Sequence, residues 1–120
     1  MALYYNLGSL YEKYHNDANL VQDYLTDFCK EASKMLKKMK LGIEDKDHAA
    51  VRKWVLRMQP NLEFLGIDEG FEEGNSILEW ADRSGKKKEV KEIFKAFKVH
   101  VKNATKELKK DFVIAKKLRE

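Results

Sequence analysis

The sequence predicts an all-α fold: an antiparallel up-down four-helix bundle preceded by a short N-terminal helix. Four long segments carry apolar residues at alternating spacings of three and four, the period of a helix with one buried face. The breaks between those segments are short, which favours antiparallel neighbours. One proline and six glycines in 120 residues are too few for the many turns of an all-β chain. The length fits a single domain, residues 1–120, large enough to bury a substantial core. No internal repeat or low-complexity linker marks a second one.

In chain order, residues 4–14 hold Tyr4, Leu7, Leu10, Tyr11 and Tyr14, a stripe fit for a packing helix too short to stand alone. His15-Asn16-Asp17 interrupts it, and Asn16 or Asp17 can cap the next helix. Residues 18–40 place Val21, Leu25, Phe28, Ala32, Met35 and Met39 on one face, widened by Leu20, Tyr24 and Leu36. Leu41-Gly42 is expected to end that helix, with glycine free to turn left-handed. Asp45 or Asp47 can cap the third. Gly66 closes the third helix and Asp68 opens the fourth, which contains Phe71, Ile77, Leu78, Trp80 and Ala81. Gly70 and Gly74 predict an irregular start to it, and Ser84-Gly85 its stop. The last helix runs from Lys86 toward Glu120, with Val90, Phe94, Phe97, Val101, Ala104, Leu108 and Phe112 as its buried stripe. Trp54, Phe28, Phe94 and Phe97 are expected to be mostly buried, the N-terminal segment crossing one end of the bundle.

The third helix organises the chain. Val51, Trp54, Val55, Met58, Leu62 and Leu65 fall within about a quarter of its circumference, a buried seam. At ~100° per residue, Leu56 points almost directly away from that seam. Ala49, Arg52, Pro60 and Glu63 are its neighbours on the outer face. An outward leucine one turn ahead of a proline is the feature that a functional account must explain.

Composition narrows the function. Hydrophobic residues make up 43% and charged ones 37%, ordinary for a small helical protein with solvated faces. The lone Cys29 excludes a disulfide framework or a cysteine-based zinc site and fits a reducing compartment. No signal peptide or segment of transmembrane length is visible, so a cytoplasmic domain is expected. The net charge of +4 comes mainly from the lysine-rich last third, which permits attraction to an acidic partner or nucleic acid without requiring it. Lys88, Lys91, Lys95, Lys98, Lys102, Lys106 and Lys109 read as a solvated face in near-heptad register.

The residue pattern resembles the histidine-containing phosphotransfer (HPt) domain family across most of the chain. That family has a leucine-rich opening, matched by Leu7 and Leu10, then a short Asp-containing break, matched by Asn16-Asp17. A long helix with an aromatic residue midway follows, matched by Phe28. The family's central His-x-Leu-Lys-Gly, followed by an apolar residue and glycine, falls on Leu56-Arg57-Met58-Gln59-Pro60 when anchored on Leu65-Gly66. Its later leucine and Leu-Glu pair fall on Phe71 and Leu78-Glu79. Some members carry proline where Pro60 stands.

The departures decide the chemistry that the resemblance implies. Leu56 occupies the phosphoacceptor position and Gln59 that of the supporting lysine. Phosphorelay needs an imidazole nitrogen to attack an aspartyl phosphate, and leucine has no lone pair to offer. Gln59 lacks the positive charge that favours an incoming phosphoryl group. His48 could be a displaced acceptor, whereas His15 and His100 read as surface or packing residues. Glu69, Glu72 and Glu73 read as a solvated face. No histidine pair has metal-ligand spacing, and no phosphate loop or catalytic triad is present, so neither enzymatic activity nor a cofactor is expected.

The resemblance therefore implies a non-catalytic, HPt-like domain of bacterial two-component signalling. Its partners would be response-regulator receiver domains or hybrid sensor kinases. Docking is expected on Ala49, Leu56 and Pro60 as apolar centre, with Arg52, Lys53, Gln59 and Glu63 as polar border. Two alternatives stand beside it: a competent phosphotransfer protein using His48, and a basic helical nucleic-acid-binding protein. The last helix offers almost only lysine for base reading, which makes nucleic acid the weaker partner.

Overall fold

The computed structural model describes residues 3–112, and among these every regular element is helical. A short α1 (Gly8–Lys13) precedes α2 (Ala18–Glu44), α3 (His48–Phe64), α4 (Asp68–Asp82) and α5 (Lys87–Phe112). α2 packs on α3, α3 on α4, α4 on α5, and α5 back on α2. Connections this short return the chain alongside the helix it has just left, so neighbours run antiparallel and the four long helices close into a ring. α3 and α5 consequently lie diagonally across the bundle. The expected continuation of the last helix toward Glu120 lies outside the described residues. No described helix is long and apolar enough to cross a membrane.

Side-chain caps set two of the helix starts. Asp17 accepts from the Asn19 and Leu20 amides at 3.0 and 3.2 Å, after His15 and Asn16 turn the chain through left-handed φ values of 51° and 63°. Asp47 accepts from the Ala50 amide at 3.0 Å and opens α3. Gly66 closes α3 as expected, whereas other glycines behave differently from their expected roles. α2 does not stop at Leu41-Gly42 but runs on to Glu44, and Lys46 takes the left-handed turn. Gly42 is buried where α3 begins, and a Cβ there would lie 2.8 Å from Cγ2 of Val51. It permits a close helix approach rather than a turn. α4 starts regularly at Asp68, with Gly70 and Gly74 buried inside it rather than loosening it. At the α4–α5 turn Ser84, not Gly85, carries the positive φ.

One core runs the length of the bundle. Leu25, Phe28 and Met39 of α2 meet Val51, Val55, Met58 and Leu62 of α3, with Trp80 of α4 and Phe94 and Phe97 of α5. Burying each such side chain contributes about 1.5–3 kcal/mol. Several residues of the expected apolar stripes are not in it, among them Tyr24 and Phe112, which are half-buried. Leu20 is 46% exposed, on the solvent side of the first turn of α2. Trp54 is only half-buried, at the edge of the α3 seam, where Lys53 Nζ and Arg57 Cζ stand 5.0 and 5.6 Å from its ring centroid. Those cations over the ring face compensate for its incomplete burial. Cys29 lies in the core, and burial pushes its thiol up to about 11 against the opposing influence of Lys109, so it stays protonated and unreactive at neutral pH.

The N-terminal segment crosses the end of the bundle as a strap, and only its last part, from Gly8, is helical rather than the whole of 4–14. The Leu3 and Tyr4 amides donate to the Glu107 carboxylate. The Tyr5 hydroxyl donates to Asp111 at 2.6 Å, and burial together with that carboxylate holds its phenol well above the ordinary range. The Asn6 amide donates to the Leu65 carbonyl at 2.8 Å, beside Gly66 at φ 63°. A Cβ at Gly66 would meet the Asn6 backbone nitrogen at 2.9 Å as well as its side chain. Gly66→Ala should therefore cost about 1–3 kcal/mol through backbone strain alone, more if the strap is displaced. Urea unfolding checks this, and an unchanged midpoint would show that neither the backbone strain nor the Asn6 contact opposes a side chain at position 66.

Candidate docking face on α3

The outer face of α3 is built by the phase of the helix. With Val51, Val55, Met58 and Leu62 directed inward and fully buried, Ala49, Arg52, Leu56, Pro60 and Glu63 must point to solvent, and all are exposed. Leu56 is 42% exposed in mid-helix. Pro60 stands one turn later and has no N–H, so it withholds the donor that a regular helix sends to the Leu56 carbonyl. The face thus presents an apolar side chain and a carbonyl lacking its usual helical donor at the same position. Leaving either uncovered brings no stability, whereas a partner that covers both can gain from each.

The border of the face is polar and partly ordered. Arg52 donates through Nε to Asp82 of α4 at 2.8 Å, which ties that side of the face to the neighbouring helix. Lys53 is exposed on the other side. Arg57, directly beside Leu56 and not singled out from the sequence, is exposed and held over Trp54. Beyond Pro60 the face continues into an open recess lined by Lys13, Tyr24, Pro60, Asn61 and Phe64. The Tyr24 hydroxyl donates to Asn61 at its edge, and burial raises the Tyr24 phenol above its ordinary value. This recess depends on α1 folding back onto the C-terminal end of α3, a contact that helical periodicity within α3 does not reveal.

Gln59 does not belong to that border. It is buried between α3 and α4, where its amide nitrogen donates to the Phe71 carbonyl at 2.9 Å and to Asn75 Oδ1 at 3.0 Å. A Cβ at Gly74 would collide with the Gln59 amide, so a glycine is needed opposite it. The Gln59 amide oxygen is buried without a hydrogen-bond partner among the described residues. Gln59 thus joins two helices rather than facing a ligand.

The histidines are engaged in the fold or remote from this face. His48, the first residue of α3, donates through Nε2 to the Gly85 carbonyl at 2.7 Å, and its ring lies 4.6 Å from that of Trp80. It locks the start of α3 to the α4–α5 turn, two turns away from Leu56. His100 is gripped through both ring nitrogens: Nε2 lies 2.7 Å from Glu69 and Nδ1 lies 2.7 Å from Glu73. Glu69 and Glu73 are thus partners of α5 rather than only a solvated face, while Glu72 is exposed. His15 sits exposed in the α1–α2 turn. The two carboxylates bracket opposite nitrogens of His100, and among the described residues no group of three or more His, Cys, Asp or Glu is arranged to hold a metal ion. The centre of the α3 face, Ala49, Leu56 and Pro60, carries no polar side chain and can cover a partner's apolar surface, while Arg52, Lys53 and Arg57 at its rim can donate hydrogen bonds. No protein-family model, no curated protein and no solved structure matches this chain.

Proposed function

We propose that this is an HPt-like signalling domain that binds the receiver domains of response regulators, or of hybrid sensor kinases, over α3 without accepting phosphate. The observation that carries the reading is Leu56, exposed on the outward face of α3, at the position where the sequence resemblance sets the phosphoacceptor histidine. The burial of Gln59 supports it, since the residue in the place of the supporting lysine turns into the α3–α4 interface. The apolar line Ala49-Leu56-Pro60, edged by Arg52, Lys53, Arg57 and Glu63, is the arrangement of an apolar centre with a polar rim. A domain of this kind occupies a receiver in the cytoplasm and competes with phosphate-carrying partners for it.

The test is to mix the protein with acetyl-phosphate-charged receiver domains from its own genome. Complex formation with at least one receiver is expected, with no acid-labile, base-stable phosphate on this chain, because no lone pair is available at position 56. Phosphate arriving on His48, His15 or His100 at relay speed would replace the non-catalytic reading with a competent phosphotransfer protein. Binding by no receiver at all would remove the docking function.

A further inference from the structure

The lysines of α5 do not simply disperse into solvent: several of them edge the seam between α2 and α5. Near the C-terminal end of α2 the seam opens into a groove of about 340 Å³ whose floor is Ile43 and Phe94. Lys40 of α2 and Lys91, Lys95 and Lys98 of α5 form its rim. Farther along, a second hollow of about 220 Å³ has Ala32 and Leu36 at its base and Lys102, Lys106 and Lys109 at its edge. From Lys91 to Lys109 the row extends roughly 27 Å at the rise of an α-helix.

Among the described residues no carboxylate is paired with this positive charge. Glu89 is paired with Arg83, Glu107 accepts from the Leu3 and Tyr4 amides, and Asp111 accepts from Tyr5. Glu44 also lines the groove, but the contact it receives, from Lys87 Nζ, is on its backbone carbonyl at 3.4 Å. Among the described residues no ion pair joins a carboxylate to any rim lysine. The seam therefore combines a row of unneutralised ammonium groups, spaced at helical intervals, with apolar ground beneath them.

We propose that the α2–α5 seam holds an acidic amphipathic helix of a partner protein, its carboxylates following the lysine row and its apolar stripe seated over Ile43 and Phe94. Charge complementarity selects the sign of the occupant, and the length of the row matches several turns of a helix. Ile43 and Phe94 are only 6% and 8% exposed, so the apolar stripe of the occupant adds a local contact while the lysine row carries the selection. The rim also lacks the arginine and exposed aromatic side chains with which nucleic acid is commonly gripped. This surface shares no residue with the α3 face, and α5 lies diagonally opposite α3. Its occupancy is therefore independent of receiver docking, and the two together would make the domain a two-sided scaffold.

Fluorescence anisotropy with a labelled synthetic helix, glutamate on one face and leucine on the other, tests the proposal at physiological ionic strength. Saturable binding is expected. Lys91→Glu with Lys95→Glu, and separately Lys102→Glu with Lys106→Glu, should each weaken it at least about tenfold. These lysines are exposed, and unchanged circular dichroism confirms that each variant is folded. Scrambling the peptide at constant composition should also weaken binding at least about tenfold, whereas Leu56→Asp should leave it unchanged. The proposal is overturned by absent binding, by indifference to both lysine pairs, or by equal binding of the scrambled peptide. Tighter binding of a DNA duplex would likewise assign the seam to nucleic acid instead.

Discussion

Leu56→Asp is expected to abolish measurable receiver binding while leaving the bundle folded. Covering a leucine fully is worth about 1.5–3 kcal/mol, so losing that contact alone weakens a complex roughly tenfold to a hundredfold. Aspartate adds a further penalty, because its carboxylate must be desolvated at the centre of the interface. The free protein has little to lose, since the side chain is already 42% exposed and belongs to no core cluster. Its stability should change by no more than about 0.5 kcal/mol, the difference in helix propensity. Calorimetric titration against the cognate receiver and a thermal melt of the free variant give the two readings. A variant that melts like the parent and still binds would remove the α3 face from the interface. A variant that unfolds would show that Leu56 is structural.

What could be read from the sequence was whatever a single helix dictates about itself. The apolar stripes placed the four long helices, and the phase of α3 sent Leu56, Ala49 and Pro60 outward because Val51, Val55, Met58 and Leu62 had to turn inward. What escaped it was set by the neighbouring helix. Gly42 and Gly74 look like breaks in isolation, yet Gly42 lies inside the last turn of α2 and Gly74 in mid-α4, each admitting a specific neighbour, Val51 or Gln59. Gln59 lies beside the outer face by phase alone, and only the space that Gly74 leaves on α4 draws it inside. Trp54 satisfies the core period, but as the edge residue of the seam it is only half-buried, under Lys53 and Arg57. The lysines of α5 follow the same logic. Their register was visible, but their convergence on Ile43 and Phe94 depends on which helix closes the ring. Glu69 and Glu73, one turn apart on α4, gained a purpose only when α5 brought His100 between them.

Trp80→Ala should cost about 3–5 kcal/mol, a large fraction of the roughly 5–15 kcal/mol that holds a domain together. Trp80 is 1% exposed, and its indole N–H donates to the Lys86 carbonyl at 2.8 Å. The ring of His48 lies against it, and His48 in turn donates to the Gly85 carbonyl. One side chain thus joins the end of α4, the turn into α5 and the first residue of α3, so truncation removes packing and strands a carbonyl together. Trp80→Phe separates the two effects: it keeps most of the ring and loses only the donor, for about 1–3 kcal/mol. Urea midpoints with an unchanged slope measure both losses. A deficit below about 1 kcal/mol for the alanine variant would mean that this end of the bundle repacks freely. At temperatures where the alanine variant remains folded it should bind receiver as the parent does, because Trp80 lies inside the bundle and Leu56 outside it. Those results together would assign stability and the proposed docking to different residues of one small domain.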